Sequence, residues 1–196
     1  MNFKKIFVIL MILINIPTLV ISIEPKEFIQ STVDKASSVL SNKVSEKQKI
    51  EDLKLIAIDS VDVKGIGLYT LGKYRKNLND DEKIRYSQLF ESYFLKSFSS
   101  RLVEYTNPQI IVNSQEILNK NYTMVTSTLK ATDKRPEIKI DWRVYTKVVD
   151  KPLIRDLIIE GLSLARTQKE EFSSIINSND GKIEALLQNL SDFSAK

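Results

Sequence analysis

Neither cysteine nor histidine occurs anywhere in the 196 residues. That double absence removes disulfides, thiol nucleophiles, Cys/His zinc sites and every catalytic arrangement in which imidazole is the base. Any chemistry would have to run on carboxylates, lysine, tyrosine or serine. Glycine and proline are scarce, five of each, and no internal repeat or low-complexity linker divides the chain. With 42% hydrophobic residues, the composition is that of a single globular domain stabilised by packing.

Long hydrophobic runs are confined to the N-terminus. Lys4 and Lys5 precede an apolar stretch from Ile6 to Ile21, interrupted by Asn15 and Pro17 and ending at Ser22. It falls short of the roughly 20 apolar residues of a spanning helix. Its basic start and small final residue predict a cleaved export signal over residues 1–22, leaving a mature domain over 23–196. Retention as an N-terminal anchor is the other reading, and the lack of cysteine excludes a lipoprotein anchor. The chain carries 29 bases and 25 acids, and two of the bases belong to the leader. The mature part is therefore nearly neutral, no basic block with interleaved aromatics stands out, and nucleic acid is not an expected partner.

Up to about Tyr105 the apolar period is helical. Pro25 and Glu27 mark a first turn, followed by Phe28, Ile29, Val33, Ala36, Val39 and Leu40. Ser45 with Gln48 reads as a capping box for a second helix through Ile50, Leu53, Ile56 and Ala57. A third helical stretch, Val63 to Tyr74, carries Gly65, Gly67 and Gly72. Each costs a helix about 1 kcal/mol against alanine, which implies a packing or turn reason. Asn79-Asp80-Asp81-Glu82 caps the longest helix, where Tyr86, Leu89, Phe90, Tyr93, Phe94, Phe98, Leu102 and Tyr105 form one broad stripe.

From Pro108 the period changes to two. Gln109–Val112 with Gln115–Leu118, Tyr122–Ala131, Glu137–Val149 and Leu153–Glu160 read as strands joined by short loops. In the third, Ile138, Ile140, Trp142, Val144 and Val148 alternate with Lys139, Asp141, Arg143 and Lys147. Helix returns from Ser163 to Ile176 and again from Ile183 to Phe193. The expected class is α+β: N-terminal helices, a four-stranded antiparallel curved meander sheet and C-terminal helices, laid out as an NTF2-like cone with helical additions.

Few motifs survive inspection. Gly67 to Lys73 copies the start of a P-loop, but Tyr74 stands where a magnesium-ligating hydroxyl belongs and no strand precedes it. Asn177 to Glu184 faintly resembles a calcium loop, yet Ile176 occupies the first ligand position, so a turn between helices is the better reading. Asp59 with Asp62 and Asp80 with Asp81 read as helix-end chemistry. Asn121-Tyr122-Thr123 and Asn189-Leu190-Ser191 fit a glycosylation pattern that carries weight only in a eukaryotic host. Asp156 and Glu160, in an otherwise apolar strand, are the best candidate acid/base groups, against a structural salt bridge.

Three stretches carry a family resemblance. They are Ile66-Gly67-Leu68-Tyr69-Thr70-Leu71-Gly72-Lys73-Tyr74-Arg75; Leu78-Asn79-Asp80-Asp81-Glu82-Lys83 with Phe90, Phe94, Leu102 and Tyr105; and Asp156 to Leu164 continuing to Phe172, Ile175, Ile176, Gly181, Leu186, Leu187 and Leu190. Together they resemble the MlaC family, also called the toluene-tolerance family, the exported phospholipid-binding component of an ABC-type lipid transport system in Gram-negative envelopes. The Glu160-Gly161-Leu162-Ser163-Leu164 block is the most specific part. Departures are Pro152, where the family usually carries tryptophan, and Gln168-Lys169 in place of Tyr-Arg.

The resemblance implies a non-enzymatic periplasmic carrier without metal or cofactor. Its partners would be phospholipid, an inner-membrane ABC lipid transport complex and an outer-membrane lipoprotein complex, and it would act as a monomer. The lining expected for its cavity is Ile66, Leu71, Tyr74, Phe90, Phe94, Phe98, Trp142, Val144 and Ile158. Two other classes remain open at this point. One is an exported enzyme on the same cone-shaped scaffold using Asp156 or Glu160, and the other an adaptor whose aromatic groove holds a partner helix.

Overall fold

The computed structural model describes residues 23–133, 135–148 and 150–195. The expected leader, residues 1–22, lies outside them. Helices α1 (Pro25–Ser41), α2 (Glu46–Ser60) and α3 (Val63–Thr70) lead through a 3-10 turn (Gly72–Lys76) into the long α4 (Asp80–Leu102). Strands β1 (Ile110–Asn119), β2 (Tyr122–Leu129), β3 (Ile138–Tyr145), β4 (Leu153–Ile159) and β5 (Leu162–Ser163) follow, then α5 (Leu164–Asn177) and α6 (Ile183–Ala195). The strands form one antiparallel sheet in sequence order.

The α+β class stands, with one correction. The sheet has five strands among the described residues instead of the expected four. The extra strand exists because Glu160 and Gly161 both take positive φ, 49° and 81°, and turn the chain back within two residues. Leu162 and Ser163 then pair with Ile159 and Ile158, a run too short for a period of two to announce it. The break expected inside β1 is a bulge: pairing with β2 shifts between Val112 and Ser114 while the strand continues.

Gly72 ends the third helical stretch earlier than its apolar period suggests, since its φ of +54° belongs to the left-handed region. Gly67 has a packing reason instead. A Cβ there would lie 2.8 Å from Phe90 Cδ1, so α3 approaches α4 as closely as the backbone allows. The α4 start is as read: Asn79 Oδ1 accepts from Glu82 N and Glu82 Oε2 accepts from Asn79 N, both at 2.9 Å. Asp62 caps α3 by accepting from Gly65 N at 2.8 Å and ties it to β4 through Arg155 Nη2 at 2.6 Å.

One face of the sheet meets the helices. Across β2 and β3, Thr123, Val125, Ser127 and Leu129 pair with Val144, Trp142, Ile140 and Ile138, and directly opposed residues share a face. All but the half-buried Ile138 are buried. Ile29 and Val33 of α1, Tyr86 and Phe90 of α4, Phe172 and Ile176 of α5, and Leu186, Leu187 and Leu190 of α6 close over that face in one apolar cluster.

Candidate functional site

The row Tyr86, Phe90, Phe94, Phe98 recurs every four residues, so the four rings stack along one side of α4. Their centroids are 5.7, 6.1 and 5.7 Å apart in succession, and the last pair is stacked with nearly parallel planes, at 8°. Phe172 meets Phe90 edge-on at 6.2 Å. The row is not uniformly buried. Tyr86 and Phe90 are enclosed, whereas Tyr93, Phe94, Leu95 and Phe98 are half-buried. At the same end of the molecule, where α4 leads to β1, Tyr105, Ile110 and Ile138 are also half-buried, and the Arg135 guanidinium lies 4.1 Å over the Tyr105 ring.

The polar side chains inside this layer are paired with one another or with the backbone. The Tyr86 hydroxyl lies 2.8 Å from Thr70 Oγ1 and donates to Gly67 O at 3.1 Å. Burial pushes its pKa far above that of an ordinary tyrosine. Trp142 Nε1 donates to Ser127 Oγ at 2.8 Å, and the Tyr74 hydroxyl donates to Asn177 Oδ1. Among the described residues, no buried side-chain nitrogen or oxygen lacks a partner. Such an interior has nothing to offer a polar ligand and much to offer a hydrocarbon.

Of the nine expected lining residues, the structure brings eight into one cluster. Ile66, Leu71, Tyr74, Phe90, Trp142 and Val144 belong to its buried part, with Phe94 and Phe98 packed against it. Ile158 stands apart. It pairs with Asp141, while Leu157 and Ile159 pair with Trp142 and Ile140, so the sheet's inner face holds its neighbours instead. Six of the eight are buried, and Phe94 and Phe98 are half-buried beside them.

A pocket of about 180 Å³ opens at the other end of the inner face, between the start of α1 and the β1–β2 tip. It is lined by Ile23, Glu24, Pro25, Gln115, Ile117, Thr123, Thr146, Val148 and Pro152. Thr123 pairs directly with Val144, which places the pocket beside the cluster. Its volume is below the roughly 300–1,000 Å³ of an ordinary ligand site. A shallower groove of about 510 Å³ crosses the α5–α6 junction near Ile175, Ala185 and Gln188. None of the nine lines either space. Sequence reasoning missed the pocket residues; the register of Ile117 and Thr123 could have pointed to the inner face, but the loop positions Ile23 and Pro152 carried no signal.

The two acid/base candidates have structural partners. Asp156, only 4% exposed, accepts from Ser163 Oγ at 2.6 Å and Ala165 N at 3.0 Å, and lies 3.6 Å from Arg143 Nη1. It fastens the first turn of α5 to β4. Glu160 is exposed and accepts from the Lys139 backbone N–H. Neither lines either pocket. Among the described residues no cluster of three or more acids could hold a metal ion. The Asn177–Glu184 segment is a turn between helices, closed by Gly181 N donating to Ile176 O at 2.9 Å.

No curated protein matches this sequence. Among solved structures, the phospholipid-binding protein from Ralstonia solanacearum, in complex with a phospholipid, superposes with a TM-score of 0.75 at 17% identity. The match covers 88% of this chain and 98% of that one, and at such identity it shows a shared fold. The family described as MlaC protein matches over residues 30–192, and on that match the chain belongs to the MlaC family.

Proposed function

We propose that the protein is a periplasmic phospholipid carrier, exported by a cleaved leader over residues 1–22. In this reading it is not an enzyme, and it moves lipid as a monomer between an inner-membrane ABC lipid transport complex and an outer-membrane lipoprotein complex. The observation that carries the reading is the apolar cluster between the helices and the inner face of the sheet, in which, among the described residues, no buried side-chain nitrogen or oxygen lacks a partner. Family membership and the lipid-bound Ralstonia relative support it. Among the described residues no helix is long and apolar enough to cross a membrane.

The physics explains why such a carrier is needed. Each methylene left in water costs about 0.8 kcal/mol, so two acyl chains cost on the order of 20 kcal/mol, and a single lipid crosses water only when sheltered. The tails would lie along Ile66, Leu71, Tyr74, Phe90, Phe94, Phe98, Trp142 and Val144. They would enter past the half-buried end of α4 and reach toward the pocket beside Val144. The headgroup would remain in solvent at the mouth, so tails supply affinity without selecting a headgroup. Helices over a bulged sheet in this way fit an NTF2-like cone. Energy for directed transfer must come from a membrane complex, which this chain does not contain.

Solvent extraction of the purified mature protein followed by lipid mass spectrometry tests the reading. The expected result is co-purifying phospholipid near one per chain. A lipid-free protein that takes none from vesicles would sink it.

A further inference from the structure

A second surface stands apart from the apolar layer. Between Val63 and Leu78 there are four bases and no acid, and this segment forms α3 and the 3-10 turn. The α3 helix leaves Leu68 and Tyr69 exposed, at 40% and 45%. Lys169 of α5 reaches the same place: its Nζ lies 5.2 Å over the Tyr69 ring, and a Cβ at Gly72 would come within 2.9 Å of its Cε. Gly72 thus provides the bed for the lysine stem. Lys73, Arg75 and Lys76 are exposed in the turn, with Lys73 Nζ 5.1 Å over the Tyr74 ring.

None of these four cations belongs to an ion pair; those present among the described residues use other bases. Nearby acids are mostly engaged. Glu82 is held in the α4 capping box, Asp80 by Lys83, and Glu171 by Gln168. Asp81 and Glu170 are exposed.

We propose that this patch docks the protein on a bilayer surface carrying anionic phospholipid, with Leu68 and Tyr69 entering the headgroup region and Lys73, Arg75, Lys76 and Lys169 meeting the lipid phosphates. Charge complementarity chooses the occupant. Lysine is depleted at protein–protein interfaces, whereas cations outside any ion pair around an exposed tyrosine and leucine are what an anionic membrane attracts. Lysine stems lying along apolar surface keep their ammonium groups free for the phosphates. The inference goes beyond the carrier reading and does not depend on it, since docking uses none of the residues assigned to the tails.

Flotation of the mature protein with vesicles tests it. Vesicles of phosphatidylcholine alone are compared with vesicles containing about 30% phosphatidylglycerol, at about 0.1 M and 0.5 M salt, across which the screening length falls about twofold. Binding is expected only with phosphatidylglycerol and is expected to fall at high salt. Each surface cation contributes about 1 kcal/mol, or roughly fivefold in partitioning. The Lys73→Gln/Arg75→Gln/Lys76→Gln variant should therefore lose on the order of 100-fold, and Leu68→Ser/Tyr69→Ser should weaken binding at both salt concentrations. Bound phospholipid per chain, measured in parallel, should be unchanged in both variants. Equal binding to both vesicle types, or undiminished binding by the charge variant, overturns the proposal. So does an absence of vesicle binding, including the case where the patch instead captures an acidic protein. Should a variant fail to fold, the salt and lipid dependence of the unmodified protein decides alone. Loss of cargo with intact vesicle binding would refute the carrier reading and leave docking standing.

Discussion

Replacing Asp156 separates a structural strut from a working carboxylate. Its side chain is almost wholly enclosed and accepts two hydrogen bonds, from Ser163 Oγ at 2.6 Å and from Ala165 N at 3.0 Å. Hydrogen bonds to a charged group are worth about 1.5–3 kcal/mol each. Arg143, at 3.6 Å, is 41% exposed and returns to water when its partner is removed, so that pair adds little. Ala165 N is one of the first-turn donors of α5 and would be buried without an acceptor. Asp156→Ala should therefore cost about 3–4 kcal/mol. For a domain of this size each kcal/mol lowers Tm by about 2–4 °C, giving a drop of roughly 6–16 °C. Asp156→Asn keeps one acceptor for Ala165 N and should cost about half as much. Urea titration followed by circular dichroism measures the loss. Ser163→Ala should show a coupling to Asp156→Ala of about 1 kcal/mol or more in a double-mutant cycle. Well below the melting range, both Asp156 variants should retain phospholipid. If Asp156→Asn melts within about 2 °C of the unmodified protein yet loses a turnover or its lipid, the carboxylate acts on a ligand and the strut argument is wrong.

Two further perturbations probe the layer between α3 and α4. Gly67→Ala puts a methyl 2.8 Å from Phe90 Cδ1 and should destabilise by about 1–3 kcal/mol through overpacking. Phe90→Ala should cost about 3–5 kcal/mol by leaving a hole, and the double variant should cost less than the sum because the methyl enters that hole; strict additivity in denaturant titrations would contradict the contact. Stability at alkaline pH tests the enclosure of Tyr86. Its folded pKa is raised above the ordinary value of 10.0 by burial, so above that pH the unfolded chain holds fewer protons and stability falls as pH rises. Tyr86→Phe should cost about 1 kcal/mol at neutral pH and flatten the fall above about pH 10; an unchanged alkaline slope would mean that the hydroxyl is not enclosed.

The parts of the fold that were legible in the sequence are those in which chemistry and period agree. Asn79 and Glu82 announce the start of α4, and the four-residue spacing of Tyr86, Phe90, Phe94 and Phe98 fixes its inward side. The alternation of Ile138, Ile140, Trp142 and Val144 fixes the inner face of β3. The facing of β4 is less legible for a physical reason. Both alternating sets in Leu153–Ile159 contain apolar residues, and the pairing shifts between Arg143 and Val144. Ile154 therefore pairs with Val144, but Leu157 pairs with Trp142, and parity counted from Ile154 points to the wrong neighbour. Asp156 was visible as an odd carboxylate, while its partner Ala165 N is a backbone group with no signature in the sequence. Cavity volume is not legible either, because the same phenylalanine can fill a core or line a void.

On the proposed carrier reading, tails entering this closely packed cluster must exchange contacts with it. Tails that slid beneath the C-terminal half of α4 would part Phe94 and Phe98 from the cluster they pack against, but each ring would then meet methylenes, so its dispersion contacts are replaced and not lost. The net gain is then the departure of the tails from water. Polar bonds are different, because a hydrogen bond broken in an apolar layer has no substitute there. Their placement along α4 is uneven. The N-terminal half is fixed by the Asn79–Glu82 box, by the Tyr86 bonds to Thr70 and Gly67, and by the close approach of Gly67 to Phe90. The C-terminal half presents half-buried rings at 93, 94 and 98, with the Tyr93 hydroxyl bonded to Gln168 Oε1 and Lys96 Nζ donating to Phe193 O and Ser194 O of α6 at 3.2 Å. Opening at the C-terminal half would therefore break mostly interchangeable apolar contacts while the N-terminal half keeps its register. On the proposed carrier reading, tails would enter at the C-terminal half because the bonds that tie α4 to α3, from the Tyr86 hydroxyl to Thr70 and Gly67, sit in its N-terminal half.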